Sequence, residues 1–124
     1  MTGDRRRPAT RTSRTVGALA ERLARWDGGT ASTVTGPGGE ALRVCTGTRG
    51  RTSARGGTTY GEVFVTSSPL ERITPQLVRH ELVHVHQWRR YGLLFALLYA
   101  AAGRDPVRNR FEQQAGLHDG RYLR

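Results

Sequence analysis

Residues 75–91, PQLVRHELVHVHQWRRY, decide how the chain is read. Thr74 ahead of Pro75 looks like an N-cap followed by proline at the first helical position, where a missing N–H costs nothing. Gly92 supplies a C-terminal stop, so a helix is expected over 75–91. Leu82, Val83 and Trp88 provide its packing. Within it, His80 and His84 are four residues apart, about 40° apart around the axis and about 6 Å along it. Both imidazoles can therefore reach one metal ion. Glu81 is angled to miss that ion but to reach a water bound to it, whose pKa zinc lowers toward neutrality. His-Glu-x-x-His thus has the residue types and spacing for metal-assisted hydrolysis. His86 falls on another face of the helix and is expected at the surface or behind the ligands.

Two histidines do not complete a site, because zinc takes a third protein ligand. A third His six residues after His84 is absent, since Arg90 stands there. Farther on, Glu112, His118 and Asp119 are candidates. Glu112 lies in the helical run Asn109-Arg110-Phe111-Glu112-Gln113-Gln114-Ala115. With Asn109 as N-cap, Glu112 would be the third residue of a capping box and need no metal. With Asp105 as cap and Pro106 first, Glu112 would be mid-helix and that explanation would fail.

Working outward, 58–66 (TTYGEVFVT) is the best strand, rich in β-branched and aromatic residues. Segments 32–35 and 41–46 alternate, and glycines at 36, 38 and 39 around Pro37 join them as a hairpin. Residues 47–57 hold four Gly and three Arg and read as a flexible loop. Val16, Leu19, Leu23 and Trp26 recur at helical spacing, ending at Gly28-Gly29. Residues 93–102 form a second helix, apolar all round and hence expected inside the core. A small antiparallel sheet with these helices makes an α+β domain over 16–124, preceded by a disordered, Arg-rich tail at 1–15.

The motif segment, HELVHVHQW followed by Arg-Arg-Tyr-Gly, and the downstream NRFEQQA resemble minimal gluzincin-type (HExxH) zinc metallopeptidases, including small actinobacterial proteins. The resemblance covers roughly residues 58–116. It implies a zincin-like fold, Zn2+ bound by His80, His84 and Glu112, Glu81 as catalytic base, and a peptide or protein substrate hydrolysed through a metal-bound water. In zincins the strand before the active helix lies at the sheet edge beside the cleft. Tyr60, Gly61, Glu62 and Val63 are therefore expected to bind an extended substrate by strand addition, with Gly61 permitting close approach of another backbone. No motif position singles out Tyr60, Tyr91, Tyr99 or Tyr122 as the group that stabilises the oxyanion.

Composition sets the limits. The 124 residues carry 20 Arg, no Lys and 10 acids, for a net charge of +10. Leu, Ile, Val and Phe number 25, of which 19 lie after residue 62, so the second half builds most of the core. Such a charge allows weak, non-specific nucleic-acid binding, and a basic nucleic-acid-binding domain is one alternative. Another is a non-catalytic protein with a structural zinc. The single Cys45 excludes an internal disulfide. The longest apolar run is too short to cross a bilayer, and with no apolar stretch after Arg5-Arg6-Arg7 a cytoplasmic protein is expected.

Overall fold

The computed structural model describes residues 7–53, 56–103 and 105–116, with side chains from residue 11 onward. It is an α+β arrangement of four helices and a four-stranded sheet. In chain order these are α1 (Arg7–Trp26), β1 (Thr30–Thr35), β2 (Ala41–Thr46), β3 (Thr58–Tyr60), β4 (Val63–Val65), α2 (Pro75–Tyr91), α3 (Leu94–Ala101) and α4 (Arg110–Ala115), with one 3-10 turn at Leu70–Arg72.

Side chains that alternate along the strands face opposite sides of the sheet. Leu42, Val44 and Phe64 pack with Leu77, Val78, Leu82 and Val85 of α2. Cys45, Val63 and Val65 point the other way, onto Ala20 and Ala24 of α1. The sheet therefore lies between the two long helices.

The sheet is mixed rather than antiparallel. Its order is β1-β2-β4-β3, and β2 runs parallel to β4, with Arg43, Val44 and Cys45 opposite Val63, Phe64 and Val65. The stretch 58–66 is not one strand but two, folded back at Gly61-Glu62 into the β3–β4 hairpin. The long 47–57 connection carries the chain past the β4 position, so β3 becomes the edge and β4 returns beside β2. Glycine in mid-strand marked this break.

The N-terminal tail is also corrected. Residues 7–15 belong to α1, while residues 1–6 lie outside the described residues. Low apolar content concealed the helix because its contact face is made of small residues. Ser13, Gly17 and Ala24 are buried and Ala20 half-buried. Ser13 Oγ donates to Glu62 Oε2 at 2.9 Å, and Arg89 Nη2 lies 2.6 Å from Glu62 Oε1, tying α1, the hairpin turn and α2 together. Of the apolar stripe, Val16 is half-buried, whereas Leu19, Leu23 and Trp26 point to solvent.

The segment 93–102 is corrected likewise. Phe95 is buried against Trp88 and Phe111, but Leu93, Leu94 and Leu97 are exposed. An eight-residue helix lying on the outside of α2 and α4 presents only one side inward, and no described residue covers the other.

Part of the Arg-rich loop is ordered around Asp27. The buried Asp27 Oδ2 accepts from Arg51 N at 2.9 Å, Thr52 N at 3.2 Å and Thr52 Oγ1 at 3.0 Å. Its carbonyl accepts from Arg49 N at 2.9 Å. Asp27→Ala strands two amides and a hydroxyl, and is expected to cost about 1–3 kcal/mol. The check is urea unfolding together with hydrogen exchange, which should quicken first at Arg51 and Thr52.

Candidate metal centre

The helix over 75–91 forms as its ends dictate. Thr74 Oγ1 accepts from Leu77 N at 3.2 Å, and Gly92, at φ +60°, ends the helix with its N–H on the Trp88 carbonyl. One side of α2 lies on the sheet, and His80, His84 and Gln87 are buried on the side that meets α4. Asn109 caps α4 through bonds to Phe111 N and Glu112 N. Glu112 is therefore third in the helix, the position of a capping box. It does not act as one, since Asn109 N bonds to Asp105 O and the Glu112 carboxylate turns toward the histidines.

Three atoms converge there. Glu112 Oε1 lies 2.8 Å from His84 Nε2 and 3.1 Å from His80 Nε2, and the two Nε2 atoms are 3.2 Å apart. The partners of the other ring nitrogens set the protonation. His80 Nδ1 is 2.7 Å from the Gly116 carbonyl and must donate to it. His84 Nδ1 is 2.7 Å from Gln87 Oε1. Gln87 cannot turn round, because its Nε2 donates to Phe111 O at 3.1 Å and Gln114 Oε1 at 3.0 Å. Each Nε2 thus faces the other and a carboxylate oxygen, with a lone pair when its ring is neutral and with a proton to donate to Glu112 when the ring is charged.

A proton or a small cation between these atoms would relieve their mutual repulsion. Burial weakens the hold of His84 on a proton, but its hydrogen bond to Glu112 and the nearby Glu81 charge outweigh this and raise its pKa. Burial raises Glu112 too, yet hydrogen bonds from His80, His84 and Tyr99 prevail and hold it far below the usual carboxylate range. Atoms held about 2.05 Å from a tetrahedral zinc lie roughly 3.3 Å from one another. The observed separations of 2.8–3.2 Å fit a small divalent cation with modest expansion.

Glu81 stands beside this cluster, its Oε1 3.9 Å from His80 Nε2. Ligating atoms of His80, Glu81 and His84 all fall within 4.8 Å of one another, so this buried group could hold a metal ion. Thr59 Oγ1 donates to Glu81 Oε2 at 2.6 Å and fixes the carboxylate. Burial lifts the Glu81 pKa above its ordinary value, against the opposing pull of His84, His80 and Thr59.

A cavity of about 330 Å3 opens onto Glu81, His84 and Glu112; its apolar wall includes Trp88, Phe95 and Tyr99, and β3 forms another side.

No protein-family model matches this chain, and no curated protein or solved structure proves similar to it. Its chemistry must be read from the side chains.

Of the four residues expected along the substrate edge, only Tyr60 lines the cavity. Gly61 does admit a close backbone, but that backbone belongs to α1: a Cβ would lie 2.0 Å from Ser13 O. Glu62 is engaged by Arg89 and Ser13, and Val63 is buried in β4, paired on both sides. His86 lies at the surface against Glu40. His118, Asp119 and Tyr122 lie outside the described residues. Thr59 and Gln87 have no role in the sequence reading, and Tyr99 is one of four tyrosines it leaves unseparated. Gln87 was discoverable, because a residue three after His84 on a helix is its neighbour. Tyr99, whose hydroxyl donates to Glu112 Oε2, had no local signal to separate it from the other tyrosines.

Gln87→Leu leaves His84 Nδ1 without its acceptor, in a side chain of similar volume. Loss of such an orienting partner is expected to weaken metal binding about 10- to 100-fold, as read by competition against a chelating dye.

Proposed function

We propose that this chain is a zinc-dependent peptide-bond hydrolase on a minimal, zincin-like fold, related to the gluzincin-type peptidases. The convergence of three lone-pair atoms from His80, His84 and Glu112 carries this reading. Those residues would hold the ion, and bound zinc would supply Lewis acidity toward a water and a substrate carbonyl.

The protein's own groups account for the rest. Glu81, held by Thr59 and raised by burial, is suited to take a proton at Oε1 and return it to a leaving amine. The cavity beside it admits a substrate chain while Trp88 and Phe95 exclude water. Trp88 Nε1 already donates to the Thr59 carbonyl at 3.0 Å, so strand addition at this point has lost an acceptor. Contact with the cavity walls is the stronger means of holding a peptide. The opening of the cavity onto His84 and Glu112 favours an accessible ion over a closed structural one.

The test combines metal content with turnover. Mass spectrometry of wild type and Glu81→Gln is expected to find one zinc per chain in each. Cleavage of unfolded casein by Glu81→Gln is expected to be about 10²- to 10⁴-fold slower than by wild type. Wild type that takes up no metal when zinc is supplied overturns the proposal. Salt-sensitive binding to nucleic acid that ignores chelators would instead support a basic binding domain.

A further inference from the structure

The outward side of α1 has no role in the reading above. With 3.6 residues per turn, Leu19, Leu23 and Trp26 fall within an arc of about 60°, and Arg22, Arg11, Arg25 and Arg14 occupy about 80° beside it. The small residues Ser13, Gly17, Ala20 and Ala24 occupy the side that meets the sheet. The helix cannot roll to bury its leucines without losing the seat of Gly17 beneath the hairpin turn, where a Cβ would be 3.1 Å from Glu62 N.

The result is unusual for a chain with so few large apolar residues. Leu19 is 55% exposed, Leu23 59% and Trp26 71%. Arg14 and Arg25 make only loose contacts, at 3.8 and 3.6 Å, with Glu62 and Glu21. Arg11 and Arg22 are exposed as well. A second copy of the chain would bring the same Arg arc against itself, in a protein already at +10. Nucleic acid would satisfy the arginines and leave Leu19 and Leu23 in water. One partner satisfies both arcs.

We propose that α1 docks this protein on an anionic lipid surface. Leu19, Leu23 and Trp26 enter the boundary between headgroups and acyl chains, and Arg11, Arg14, Arg22 and Arg25 meet the headgroup phosphates. The contact is peripheral: no helix among the described residues is long and apolar enough to cross a membrane.

The experiment is co-sedimentation of the full chain with vesicles of equal parts phosphatidylglycerol and phosphatidylcholine, beside phosphatidylcholine alone. Binding is expected to the anionic vesicles only. It should fall about fivefold with Arg22→Gln and about tenfold or more with the double variant L19Q/L23Q. Both leucines are exposed, so the double variant should keep the wild-type thermal melt. Tryptophan emission should shift to the blue on binding and lose that shift in Trp26→Ser, since Trp88 is buried already. Three results overturn the proposal: no sedimentation with either vesicle, equal binding by L19Q/L23Q, or a dimer in the absence of lipid that L19Q/L23Q dissolves.

Discussion

Gly61→Ala is expected to remove much of the stability of the protein. Gly61 has φ +60°, and a Cβ there would lie 2.0 Å from Ser13 O and 2.8 Å from Gly17 N. Both neighbours are helix backbone, so neither can move without the rest of α1. The left-handed conformation costs an alanine about 1–2 kcal/mol. Overpacking adds about 1–3 kcal/mol or more. Small domains have only about 5–15 kcal/mol in total, and this one buries few large side chains. Displacing α1 uncovers Ala24, Cys45, Val63 and Val65, so Cys45 supplies a local probe. Its thiol is fully buried and its pKa raised by that burial, so it should resist thiol reagents in wild type and react readily in Gly61→Ala. Urea unfolding should show the matching drop in midpoint. A midpoint unchanged from wild type would mean that α1 does not cross the hairpin turn as described.

The second large effect is expected at Glu112. Among the described residues, Glu112→Ala removes the only carboxylate oxygen within 3.1 Å of both Nε2 atoms. Altering a group that merely orients a ligand costs about 10- to 100-fold in metal affinity, and loss of a ligand itself should exceed about 100-fold. Competition against a chelating dye measures it directly. Glu112→Ala also deprives the Tyr99 hydroxyl of its acceptor, so the melt of the metal-stripped protein should be recorded beside it. If the stripped variant stays folded, the lost affinity belongs to the ligand. Retention of wild-type zinc affinity would remove Glu112 from the site and point to residues beyond 116.

The motif helix was the easiest part to read, because its cap, proline and glycine stop are local signals and its histidines follow helical spacing. Glu112 could be nominated but not assigned. Sequence alone left its cap position and its ligand position equally available, and only packing of α4 on α2 shows that its carboxylate turns toward the histidines. What failed has a common cause. Counting large apolar side chains places the contact face of α1 on Leu19, Leu23 and Trp26, whereas the helix approaches the sheet through Ser13, Gly17 and Ala24. Close approach rewards the absence of a side chain, which leaves no apolar periodicity to detect. The same bias sent Leu93, Leu94 and Leu97 inside. The β3–β4 break did leave a mark at Gly61, but the parallel pairing of β4 with β2 depends on a loop whose path no local residue states.

Gln87 joins His84 to the backbone of Phe111 and the side chain of Gln114, and His80 reaches the Gly116 carbonyl. Helices as short as the six residues of α4 do not persist alone in water. The proposed third ligand therefore comes from the element least able to hold its own shape. If Glu112 binds the ion as proposed, occupancy of the centre and order in α4 form a single equilibrium, in which whatever tightens one tightens the other. Slower proteolysis of the C-terminal end on adding zinc would register that linkage without any substrate being known.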